Sequence, residues 1–168
     1  MATKIYLKLG NIPGDCTDKG HERQIEVMTW TWGLSRPSAF EAGGQGLENQ
    51  PIANDLTLTK WIDVASPRIL LACCKGQQID RAVLEVWDDG KTVGRKKAQP
   101  YDRAKRKEGF RLTMENVVLV NISLSGNFGI YDQTESLYIK FARFAYEVLG
   151  KDAGGDPVRW DILKNSTF

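Results

Sequence analysis

Gln24-Ile25-Glu26-Val27-Met28-Thr29-Trp30-Thr31-Trp32-Gly33-Leu34 is the stretch on which the fold turns. Side chains of a strand alternate between two faces. Read as one strand from about Gln24 to Leu34, the segment puts Met28, Trp30, Trp32 and Leu34 on one face and Ile25, Val27, Thr29 and Thr31 on the other. The first face is strongly apolar and needs a core. The second is mixed, and a mixed outer face invites a partner.

Before this stretch, Ile5-Tyr6-Leu7-Lys8-Leu9 alternates with period two and meets Gly10-Asn11-Ile12-Pro13-Gly14-Asp15, a short strand closed by a turn. After it, periodicity is lost from Arg36 to Asn54, where Pro37, Gly43, Gly44, Gly46 and Pro51 interrupt the chain. Loops of this length are usually functional or disordered. This one carries Phe40 and Leu47, hydrophobes that are awkward in water and fit a loop ordered on a neighbouring surface.

Leu56 to Asp63 alternates again as a strand, and Ser66-Pro67 then opens a helix over about 66–75. Ser66 is expected to accept hydrogen bonds from the first-turn amides, Pro67 to take the first helical position and Gly76 to stop the helix in a left-handed conformation. So short a helix is marginal alone, and its Ile69, Leu70, Cys73 face is expected to pack on the sheets.

Ile79 to Asp88 reads as a strand with Ala82, Leu84 and Val86 on one side and a turn at Asp88-Asp89-Gly90. Phe110 to Ser125 alternates Leu112, Met114, then Val118, Val120, Ile122 and Leu124, with room for a bulge near Glu115-Asn116. Glu135 to Leu149 suits either a buried helix or a broad strand with Tyr138, Lys140, Ala142, Phe144 and Tyr146 on one face. Val158 to Ile162 closes the chain as a short strand. Many short strands with one small helix point to a barrel or sandwich.

The chain has 168 residues, 42% of them hydrophobic, enough for one soluble domain over 1–168 without disulfide or metal support. Neither a membrane span nor a cleavable signal is visible, so export would need a machine other than the signal-peptide route. Cys16, Cys73 and Cys74 are a poor disulfide framework and suit a reducing cytoplasm. With His21 the only histidine, a four-ligand zinc site has no basis. The net charge of +2 conceals a basic block from Lys91 to Lys107, with eight basic residues and one acidic, so the remainder is acidic.

A catalytic constellation is not legible. His21 lies in the polar turn Asp18-Lys19-Gly20-His21-Glu22-Arg23 and is expected to be exposed at a strand start. No serine sits in a Gly-x-Ser-x-Gly elbow. Gly43-Gly44-Gln45-Gly46 lacks the Lys-Ser/Thr pair and helix of a phosphate loop. Asp88-Asp89 with Gly90 makes a hairpin turn, and Asp63 before Ser66-Pro67 reads as a turn or cap residue. The chain is therefore expected not to be an enzyme and to carry no cofactor and no metal. The basic block leaves one alternative, a nucleic-acid-binding β-barrel using 91–107. Only Tyr101 within it could stack on a base, which disfavours a nucleic-acid partner.

Several stretches in order resemble the Hcp family, the haemolysin-coregulated tube proteins of type VI secretion. They are Ile5-Tyr6-Leu7-Lys8-Leu9-Gly10 with Ile12-Pro13-Gly14; the His21 turn leading to Ile25-Glu26-Val27 and Trp30-Thr31-Trp32-Gly33; and Leu56-Thr57-Leu58-Thr59-Lys60 with Ile62-Asp63. Ser66-Pro67 before Leu70-Leu71-Ala72-Cys73 and Gly76, and the tail Gly154-Gly155 to Trp160, extend the match nearly end to end.

The resemblance implies a mainly β fold: two antiparallel sheets forming a distorted barrel, one short helix at its side, and Glu135 to Leu149 as strand. It implies a structural subunit of the type VI inner tube. Six copies would form a ring, rings would stack head to tail inside a contractile sheath, and the tube would be expelled with a spike while its lumen carries or chaperones small effectors. Partners would be the chain itself, spike, sheath and effectors, with no membrane insertion. The chain would wait in the bacterial cytoplasm and be secreted on firing.

Loop 36–54 matches by position the family's ring-to-ring loop, with Arg36, Phe40, Glu41, Gln45, Leu47 and Asn49 as candidate contacts, and Thr29 and Thr31 are candidates for the channel wall. The departure is loop 91–107, longer and more basic than the family pattern. Its Arg95, Lys96, Lys97, Arg103, Lys105 and Arg106 are candidate contacts to an acidic surface. With only about eight residues after Trp160, a toxin domain is not expected.

Overall fold

The computed structural model describes residues 3–36, 51–88, 108–126, 133–150 and 155–168. Their order is β1 (Thr3–Leu9), β2 (Ile25–Glu26), β3 (Thr29–Thr31), β4 (Leu34–Ser35), β5 (Ile52–Ala53), β6 (Leu56–Trp61), α1 (Ser66–Cys74), β7 (Gln78–Asp88), β8 (Glu108–Ser125), β9 (Thr134–Leu149) and β10 (Val158–Asp161). The fold is mainly β and antiparallel. One large sheet runs β2-β1-β7-β8-β9-β6-β3, with β10 also on β9, and β4-β5 form a separate small sheet.

Chain geometry forces the large sheet to curl. Its end strands are β2 and β3, and six spacings at ~4.8 Å would hold them about 29 Å apart if the sheet were flat. Yet Glu26 and Thr29 are three residues apart in sequence and can be separated by at most about 11 Å. The backbone marks the seam: Val27 N–H donates to Ile5 O on β1 at 2.9 Å, and the next amide, Met28 N–H, donates to Thr59 O on β6 at 2.8 Å. The stretch 24–34 thus passes from one edge of the large sheet to the other as β2 and β3 and runs on into β4 of the small sheet, where one unbroken strand is expected from sequence.

This hand-over resets the alternation. Ile25 and Val27 are buried, but beyond the seam it is Trp30 and Trp32 that pack on the core while Met28 and Leu34 are exposed. The indoles pin the crossing, with ring centroids 4.9 Å from Trp30 to Phe110 and 4.9 Å from Trp32 to Phe144. Such aromatic pairs are worth about 0.5–1.5 kcal/mol beyond area burial.

A second reset crosses three strands in step. The buried positions jump from Ile79 to Ala82 on β7, from Met114 to Val117 on β8 and from Phe141 to Phe144 on β9. These lie in register, as Ile79–Val117–Phe141 and Ala82–Met114–Phe144. Asn116 takes φ +54° in the gap, beside the expected bulge position. The inward residues beyond it are therefore Val117 and Leu119, not Val118 and Val120 as the alternation from Leu112 predicts; Val120 and Leu124 are exposed. On β9, likewise, Phe144 is buried rather than sharing a face with Lys140.

Helix α1 covers Ser66–Cys74 and buries Ser66, Ile69 and Ala72, leaving Leu70 exposed where an inward position is expected. Ala65 is the N-cap residue, with no side-chain cap, and Pro67 is the second helical residue. Ser66 Oγ instead accepts from Asp63 N–H at 3.0 Å and donates to Glu135 Oε1 at 2.8 Å. Asp63 is the turn residue, its Oδ1 accepting from Ala65 N–H at 2.8 Å. Gly76 takes the expected left-handed φ of +57°.

Candidate functional site

The same alternation that buries Leu56, Leu58, Leu137 and Ile139 turns their neighbours outward. In register across four strands this gives two rows: Thr29–Thr59–Ser136–Ser123 and Thr31–Thr57–Tyr138–Asn121. All eight side chains are hydroxyls or amides and none is charged. Thr59 Oγ1 and Ser136 Oγ are 3.3 Å apart within the first row. A register shift between Leu119 and Asn121 sets Asn121 opposite Tyr138 and Ser123 opposite Ser136, so the irregularity in β8 is what completes the rows.

The rows have abrupt limits. One flank is Lys140 and Asp55, with Nζ and Oδ1 3.7 Å apart; the other is the half-exposed indole of Trp61, paired with Thr134. Beyond the three-strand reset the outer face of β7, β8, β9 and β10 changes chemistry to alternating charge. One row is Arg81–Glu115–Arg143–Asp161 and another Glu85–Arg111–Glu147. Arg111 donates from Nε to Glu85 at 2.6 Å and from Nη1 to Glu147 at 2.7 Å, and Arg143 Nε donates to Asp161 at 2.7 Å. Burial alone would push the Glu85 carboxyl up, but hydrogen bonds from Arg111 and Trp87 outweigh it and hold the group below its ordinary value. Asp161 is lowered by the Arg143 guanidinium and then by the Lys164 amide.

His21 lies beside this charged half. Instead of standing in water it stacks on Tyr6, with ring centroids 3.8 Å apart and planes within 6°, and its Nδ1 is 3.6 Å from Glu85. Cys16, Asp18 and Glu26 bring three potential metal ligands together. Asp18, however, already accepts from Lys4 and Tyr6, and burial raises the Cys16 thiol toward its protonated form. That chemistry does not favour a cation.

Of the residues singled out from sequence, Thr29 and Thr31 are exposed and form the outer column of the hydroxyl rows, next to Thr59 and Thr57. Sequence reading missed the other six, since each row draws on strands far apart in the chain and emerges only from register. Arg36 is exposed at the foot of its loop. Phe40, Glu41, Gln45, Leu47 and Asn49 lie outside the described residues, as do Arg95, Lys96, Lys97, Arg103, Lys105 and Arg106.

The profile of the family described as type VI secretion system effector, Hcp, matches residues 6–148. Protein hcp1 of Pseudomonas aeruginosa is 28% identical over 171 residues, covering 98% of each chain. The crystal structure of Hcp1 from Salmonella typhimurium shares the fold, with TM-score 0.76 at 23% identity over 100% of both chains. A structure of a type six secretion system protein matches with TM-score 0.78 and 26% identity, covering 99% of this chain and 100% of that one.

Proposed function

We propose, because this chain belongs to the Hcp family of the type VI secretion system, that it is a structural subunit whose six copies close into a ring, with rings stacking into the tube expelled by sheath contraction. The family match over residues 6–148 carries this reading. The role is mechanical and cargo-carrying, and no catalytic step is assigned to it. In this reading the hydroxyl rows on β3, β6, β9 and β8 line the channel, with Thr29 and Thr31 at one margin. A wall of neutral hydrogen-bonding groups stays wetted and has no fixed charge to hold passing cargo by long-range attraction. Small effectors, spike and sheath are the partners, and the chain is secreted when the sheath contracts.

Loop 36–54 would reach the adjacent ring, and the basic loop 91–107 would meet an acidic surface there or on a partner. A closed head-to-tail ring hides the same surface on every copy. Native mass spectrometry combined with electron microscopy tests the reading: a six-copy species with a central pore is expected, whereas a chain that remains single at high concentration overturns it.

A further inference from the structure

Among the exposed apolar residues, two groups lie near opposite ends of β9: a projecting turn and a groove. The projection is the turn Trp61-Ile62-Asp63-Val64, with Trp61, Ile62 and Val64 exposed, Val64 at 63%. The turn is rigid: Lys60 Nζ donates to Trp61 O at 2.6 Å and to Asp63 Oδ1 at 2.8 Å, while Ile62 N–H donates to Gln133 O at 2.9 Å. Three hydrogen bonds thus hold three apolar side chains in water, where flexibility would have let them fold back.

The groove, of about 300 Å³, is lined by Leu34, Arg36, Pro51, Phe144, Val158 and Trp160. Val158 on its rim is 59% exposed, and among the described residues the buried Nε1–H of Trp160 has no acceptor. β9 relates the two features. Thr134 pairs with Trp61 and Phe144 with Trp160, and the ten residue steps between them along β9 span roughly 30 Å at the rise of a strand.

We propose that the 61–64 turn of one copy seats in this groove of the next, and that this contact, beside the two loops, joins stacked rings. The proposal rests on the ring reading given above. A projection and a socket at opposite ends of one chain make a heterologous contact, which repeats in one direction and cannot close a two-fold dimer. The socket is also continuous with the proposed ring-to-ring loop, since Arg36 and Pro51 of that loop line it. A rigid guest loses little freedom on docking, which gives the buried charges around Lys60 a use beyond the monomer. An acceptor arriving with the guest would satisfy Trp160.

Val64→Asp and Val158→Asp alter exposed side chains and test the two halves separately. Each is expected to retain the six-copy ring by native mass spectrometry and to reduce stacked rings in electron micrographs about tenfold or more. Val64→Lys combined with Val158→Asp is expected to restore them. In a Cys73→Ser, Cys74→Ser background, Val64→Cys with Val158→Cys is expected to cross-link under oxidation into species beyond six copies. No cross-link, or a ladder stopping at six, overturns the proposal while leaving the ring intact. Absence of any ring in the unaltered chain overturns the underlying reading instead.

Discussion

The Lys60 ammonium lies 2.8 Å from the Glu135 carboxylate across 75 positions of sequence, and neither side chain is more than 1% exposed. Lys60 also donates to Ser66 Oγ at 3.3 Å, so one cation ties β6, β9 and the first turn of α1. Removing one member of a buried ion pair strands the other without compensation, at a cost of about 3–5 kcal/mol. Lys60→Ala strands both Glu135 and Asp63. It is expected to lower the thermal midpoint more than Glu135→Gln, which keeps a hydrogen-bonding amide, in scans at one protein concentration. Equal midpoints would contradict the arrangement.

Gly14 carries a different constraint. A Cβ built there would stand 2.2 Å from Gln24 O, in the segment where Gly14 N–H donates to Arg23 O at 2.8 Å. Gly14→Ala must spread this backbone pairing, and overpacking of this kind costs about 1–3 kcal/mol. Denaturant unfolding should register the loss, while Gly20→Ala meets no neighbouring atom within 4 Å and strains only its φ of +89°.

Acid should weaken the charged half of the sheet. Glu85 and Asp161 are held below their ordinary values. A carboxylate depressed in the folded state adds stability that is fully present above its unfolded pKa, about 4, and is lost as pH falls through the folded value. The thermal midpoint is therefore expected to be insensitive to these groups between about pH 5 and 7 and to fall below about pH 4. Arg111→Met removes the strongest counterweight to Glu85 burial, so the Glu85 share of the acid loss should disappear and the decline below about pH 4 should be shallower. An acid limb superimposable on that of the unaltered chain would contradict this coupling.

For the channel wall, Thr31→Arg places a charge on an exposed strand position and should change stability by no more than about 0.5 kcal/mol. The ring is expected to persist. Co-purification of a bound effector is expected to change, whereas the same substitution at Arg81's neighbour Asp80, outside the rows, is expected to leave it unaffected. Unchanged effector retention in Thr31→Arg would argue against a lumen position.

Replacing Arg95, Lys96, Lys97, Arg103, Lys105 and Arg106 together by Gln is expected to weaken stacking and to flatten its salt dependence. Tube length in micrographs across ionic strength is the readout. Unchanged stacking would remove the basic loop from the contact.

Much of this architecture could be read from local pattern. Leu56 to Trp61 alternates cleanly because both its neighbours in the sheet are regular, and Gly76 ends α1 where its conformational freedom suggests. The pattern failed where the sheet changes direction. Alternation assumes a constant pleat, so the seam at Val27–Met28 and the shared reset near Asn116 each shift subsequent residues to the opposite face. On α1 the buried positions are Ser66, Ile69 and Ala72, a stripe at every third residue that leaves Leu70 outside it. The hydroxyl rows were invisible as a set, since Thr29 gives no hint that Ser123 will lie three strands away. The Lys60 pairing was equally hidden, as no sequence rule joins positions 60 and 135.

The crossing at residues 25–31 concentrates both margins of the large sheet in a single covalent span. Whatever loosens Val27 and Met28 frees β1 on one side and β6 on the other at once, so the barrel should open like a coat with one button. New chain ends introduced there would release a curved sheet whose two outer strands no longer hold each other in place.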